Sequence, residues 1–113
     1  MLPSNMLELR YYVASDGKSP FEDWFSELDA AAAKVAVALA RLEQGNLSNV
    51  KGVGDGVLEL RLNWGPGYRV YFGRDGELLV ILLTGGTKRR QDKDIAAAKA
   101  TWTDYKARRP RAR

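Results

Sequence analysis

Residues 57–84, VLELRLNWGPGYRVYFGRDGELLVILLT, hold two alternating runs, two turns and one wholly apolar run. Between Val57 and Asn63, Leu58, Leu60 and Leu62 fall on one side of an extended chain, and Glu59, Arg61 and Asn63 fall on the other. Trp64-Gly-Pro-Gly67 turns the chain. From Tyr68 to Phe72, Tyr68, Val70 and Phe72 oppose Arg69 and Tyr71. Arg74-Asp-Gly76 supplies a hairpin turn. Residues 77–84 are apolar on both faces, which marks a strand covered on both sides. Three strands joined by short turns predict an antiparallel meander, and the fold follows from it.

Upstream, residues 6–15 (MLELRYYVAS) read as a first strand with Leu7, Leu9, Tyr11 and Val13 on one face. Ser19, Pro20 and Glu22 form a helix-start signature, and Phe21, Trp24, Phe25 and Leu28 make that helix's apolar stripe. A second helix runs from a cap at Asp29 to Gly45, with Val35, Leu39 and Leu42 in line. Residues 45–56, rich in glycine and asparagine, read as a loop. Downstream, Gly85-Gly86 turns the chain sharply out of the sheet. A last helix then starts near Thr87–Gln91 and ends near Arg108, with Ile95, Ala98, Trp102 and Tyr105 facing inward. The order is β-α-α-β-β-β-α: an α+β fold with a mostly antiparallel sheet and helices packed on one face. Its 113 residues suit a single domain with flexible ends at 1–5 and 108–113.

The chain has neither cysteine nor histidine, which removes thiolate chemistry, serine–histidine arrangements and the commonest zinc ligands. No signal peptide or membrane-spanning run stands out, so a cytoplasmic protein is expected. The net charge of +4 is unevenly spread. Residues 1–83 carry 8 Lys/Arg against 11 Asp/Glu, and residues 84–113 carry 10 against 3. Such a localised positive field favours a polyanion or an acidic partner.

Two clusters could do chemistry. Arg61, Arg69 and Tyr71 share the sheet face opposite the leucines, where two guanidinium forks and a phenol suit a phosphate and a base. Lys88, Arg89, Arg90 and Gln91 follow the apolar strand at a helix start, where backbone N–H groups attract an anion. The same pattern also fits the solvated face of an ordinary sheet, with Glu59 pairing Arg61 or Arg69. The GGTK at 85–88 lacks the upstream glycine and the trailing hydroxyl of a Walker loop. Asp92 and Asp94 lack a third ligand, so neither a metal nor a small-molecule cofactor is expected.

FEDWFSELD (21–29), GDGVLELRLNWGPGYRVYF (54–72) and LLTGGTKRRQDKDIAAAKATW (82–102) resemble, in order and spacing, the RelE/ParE toxin superfamily. More narrowly, they are similar to its addiction module killer protein branch, close to HigB-type toxins. The resemblance implies a small RelE-like fold and the toxin of a type II toxin–antitoxin system. It also implies a ribosome-dependent mRNA endoribonuclease, working without metal and neutralised by a HigA-like helix-turn-helix antitoxin. Carried over residue by residue, Arg61, Arg69 and Lys88 would hold and stabilise the scissile phosphate, with Tyr71 on the same sheet face. Lys51, Arg89, Arg90 and Gln91 would bind RNA. A proton donor is the weakest match: Tyr71 and Tyr105 are available, and Tyr105 is spaced for packing. The alternatives are a ParE-like DNA gyrase inhibitor and a non-toxic antitoxin-binding module.

Overall fold

Ser19 starts the first helix as its residue type dictates: its Oγ accepts the Glu22 N–H at 3.3 Å, and Pro20 follows at the first helical position. The structure, a computed structural model, describes residues 6–109. Its elements are β1 (Glu8–Tyr11), α1 (Pro20–Ser26), α2 (Ala31–Glu43), β2 (Val50–Gly54), β3 (Val57–Arg61), β4 (Tyr68–Asp75), β5 (Leu79–Thr87), a 3-10 turn (Lys88–Arg90) and α3 (Gln91–Arg108). The sheet order is β1-β5-β4-β3-β2, antiparallel except where β1 runs parallel to β5. The fold is thus α+β with a mostly antiparallel sheet, compatible with a RelE-like architecture.

Two cores lie on opposite faces of the sheet. Val70, Phe72, Val80, Leu82 and Leu60 pack with Phe21, Val35 and Leu42 of α1 and α2. Val57, Tyr71, Ile81 and Leu83 pack with Ala98 and Trp102 of α3. This corrects the expectation that all helices share one face. The inward stripe of α3 is as expected, but α1 and α2 already fill the leucine side. The opposite side offers four buried apolar or aromatic residues to cover.

Residues 45–56 also differ from the expected loop, because 50–54 form β2 and pair with β3. Two glycines dilute the strand pattern there, and the register shifts between Gly52 and Gly54. Asp55 (φ 55°) and Gly56 (φ 82°) close the β2–β3 hairpin, a sequence pair suited to that turn. At the other end, Arg108 and Arg109 do not belong to a loose tail. Arg108 Nη2 donates to the Val13 carbonyl at 2.7 Å, and Arg109 Nη1 lies 3.0 Å from Asp75 Oδ1. Residues 1–5 and 110–113, the remainder of the expected flexible ends, lie outside the described residues.

Gly85 and Gly86 do not leave the sheet. They remain in β5, paired with Val70 and Arg69. Glycine is required because side chains press on the backbone: a Cβ on Gly85 would enter the Trp24 ring, and one on Gly86 would collide with the Asp94 carboxylate. Gly85→Ala is therefore expected to lower stability by about 1–3 kcal/mol, the usual cost of overpacking a closed core. Urea denaturation reads it. A midpoint equal to wild type would show that Trp24 moves aside freely.

Among the described residues, no helix is long and apolar enough to cross a membrane.

Candidate functional site

Strand register assembles the site. Pairing β3 with β4 sets Arg61 opposite Arg69 and Glu59 opposite Tyr71, and pairing β2 with β3 sets Lys51 opposite Glu59. Because side chains alternate, Glu59, Arg61, Arg69 and Tyr71 all lie on the α3 side of the sheet. Glu59, fully buried, stands at the centre. Gln91 Nε2 donates to its Oε2 at 2.7 Å, Arg69 Nε lies 3.7 Å from the same oxygen, and Lys51 Nζ lies 3.9 Å from Oε1. A buried carboxylate persists only with such partners.

Arg69 is only 6% exposed and also donates through Nη1 to the Gly67 carbonyl at 2.6 Å. The Trp64–Gly67 turn closes over it. A Cβ on Gly67 (φ 76°) would lie 2.9 Å from Arg69 Nη1 and 3.2 Å from Lys88 Cβ, and the Lys88 N–H reaches the Pro66 carbonyl at 3.4 Å. The turn therefore brings Lys88 against Arg69. Arg61, Lys88, Arg89 and Arg90 are exposed, and none of the four forms a salt bridge among the described residues. The result is a cationic edge: Arg61 and Lys88 in front, Arg69 held rigidly behind, Lys51 and Gln91 at its ends.

Tyr71 is placed differently from its expected position on an open platform. It is 0% exposed, covered by α3, and its hydroxyl faces Glu59 without a well-formed hydrogen bond. Burial, and then the Glu59 charge, push its pKa well above the ordinary phenol range. Asp94, against Gly86 at the start of α3, has its pKa raised by burial while Arg90 pulls it down. Tyr105 donates to Asp75 Oδ2 at 2.7 Å, so its hydroxyl is engaged away from the arginines.

By sequence pattern, Glu59 is no more than a competing partner for the arginines. One signal points further: it is the lone carboxylate in an alternating strand, on the same side as Arg61. Its burial follows from α3 crossing that face. Chemically, the edge offers permanently charged forks and an ammonium to an anion, the groups suited to grip a phosphate and to stabilise added negative charge.

The family described as phage derived protein Gp49-like (DUF891) matches residues 23–103. An uncharacterized protein of Haemophilus influenzae is 48% identical over 81 residues, covering 70% of this chain and 82% of that protein. The matched segment runs from within α1 to within α3 and so contains every residue of the cationic edge.

Proposed function

The chain belongs to this Gp49-like family, a RelE-like addiction-module toxin family whose members imply an antitoxin partner, and from that premise we propose that it is a HigB-like toxin that cuts mRNA on the ribosome. The observation that carries the reading is the cationic edge, with exposed Arg61 facing Arg69 across the ladder and Lys88 held beside Arg69 by the turn. In the proposed reaction, the RNA 2′-oxygen attacks the adjacent phosphorus, and the bond from phosphorus to the 5′-oxygen breaks. The products are a 2′,3′-cyclic phosphate and a 5′-hydroxyl. The 2′-proton leaves and a proton joins the 5′-oxygen, so no oxidant or reductant is needed.

Arg61 and Lys88 contact the scissile phosphate, and Arg69 presents a guanidinium already fixed in place. Arg89 and Arg90 steer RNA, while Lys51 and Gln91 line the approach and anchor Glu59. Tyr71 acts only from beneath, through its packing against Glu59. The protein works as a single domain in the cytoplasm. Its antitoxin is a HigA-like helix-turn-helix protein that covers the basic edge.

Induced expression is expected to arrest growth and to leave new RNA 5′ ends inside translated reading frames. Purified protein is expected to leave gyrase supercoiling unchanged. Arrest with intact transcripts and blocked supercoiling would replace this reading with a ParE-like one. Normal growth would leave an antitoxin-binding module.

A further inference from the structure

A groove of about 430 Å3 runs between α2 and the turn joining β3 to β4, a volume in the range of small-ligand sites. Trp64 forms one wall and is 41% exposed. Its indole is braced from behind: it stacks on Tyr68 at 5.8 Å and 25°, and Tyr68 meets Trp24 edge-on at 6.3 Å. Lys34 Nζ sits over the Trp64 ring, 5.5 Å from its centroid, as a cation–π contact. Lys34, Arg41 and Arg61 line the groove, and none of the three forms a salt bridge among the described residues. They belong to the part of the chain, residues 1–83, that is acidic in balance. Their gathering in one groove is therefore local and not a consequence of a basic protein. Asn46 and Asn49 also line it.

Resting on the RNA-cleavage reading above, we propose that this groove is a second subsite for the same single-stranded RNA. An unpaired nucleobase stacks on Trp64 in place of the Lys34 ammonium, which turns from the ring to the adjacent phosphate and holds it with Arg41. Arg61, whose side chain belongs to the α3 side of the sheet, also lines this groove. The groove and the cationic edge therefore meet at the end of β3, where one strand can pass from the scissile phosphate to the groove. A rigid, exposed ring flanked by cations is how single strands are held without regard to sequence. An acidic peptide would use the cations but has no need of a braced indole.

The test uses the full chain and a 2′-O-methyl hexanucleotide carrying 2-aminopurine, which binds but cannot be cut. Wild-type protein is expected to quench the 2-aminopurine. Trp64→Ala is expected to abolish the quench and weaken binding roughly tenfold, the loss that one base–aromatic stack represents. Trp64→Phe keeps a stacking face and should recover most of the affinity. Lys34→Ala with Arg41→Ala should flatten the salt dependence by about 0.7 for each phosphate that is no longer neutralised. Thermal melts equal to wild type confirm that the variants fold; if Trp64→Ala melts early, the Trp64→Phe and Lys34/Arg41 variants decide. Unchanged binding in these variants overturns the proposal. So does displacement of the oligonucleotide by a polyglutamate peptide as readily as by unlabelled RNA. Because the probe cannot be cleaved, Trp64-dependent binding with no cleavage of mRNA would sink the nuclease reading and leave the subsite standing. Cleavage with Trp64-independent binding would do the reverse.

Discussion

Arg61→Ala is expected to slow RNA cleavage by about two to three orders of magnitude, the usual loss when one preorganised charge is removed from a developing oxyanion. Its stability should stay within about 0.5 kcal/mol of wild type, because the side chain is exposed and forms no salt bridge among the described residues. That contrast separates a role at the phosphate from a role in the fold. Arg61→Lys keeps the charge but loses the planar fork and should fall between the two. Single-turnover cleavage in a translating extract, with urea denaturation alongside, reads both quantities. An Arg61→Ala protein that cuts at the wild-type rate would remove Arg61 from the reaction.

Glu59→Ala should have the opposite signature, a large loss of stability. Removing the carboxylate strands the Arg69 guanidinium, only 6% exposed, and takes the acceptor from Gln91. Breaking a buried pair from one side costs about 3–5 kcal/mol, because the remaining charge keeps its desolvation penalty. Glu59→Gln preserves shape and one acceptor and should cost less. Glu59→Leu combined with Arg69→Met removes both charges together and should recover much of the loss. If Glu59→Ala costs less than about 1 kcal/mol, then the carboxylate does not organise the site. Activity should fall with Glu59→Ala even below its melting temperature, since Gln91 loses its acceptor and Arg69 its ion-pair partner.

What the sequence revealed and what it hid have physical causes. The meander was legible because Leu58, Leu60 and Leu62, then Tyr68, Val70 and Phe72, alternate without interruption, and burial on one face enforces that pattern. Ser19 and Pro20 announced α1 for equally local reasons. β2 was hidden because Gly52 and Gly54 remove the side chains that alternation needs. Asp55-Gly56 was its one clear trace. Gly85-Gly86 looked like a break because glycine serves both turns and close approaches. Only the positions of Trp24 and Asp94, far away in sequence, reveal which use applies. The same long-range fact decided the site. Arg61, Arg69 and Lys88 could be picked out as candidates by residue type and spacing. The burial of Tyr71 and the central place of Glu59 depend on α3 crossing to the second face, and no periodicity within α3 states which face it will take.

The most direct test of the account is the chemistry of the RNA ends. A defined mRNA translated in an extract with the purified protein should acquire cuts within its reading frame, each bearing a 2′,3′-cyclic phosphate or 3′-phosphate and a 5′-hydroxyl. A single 2′-deoxy substitution at the cut nucleotide should abolish that cut, and Arg61→Ala should suppress all of them. An mRNA left intact by the wild-type protein, or cut at a 2′-deoxy position to leave a 3′-hydroxyl, would contradict it.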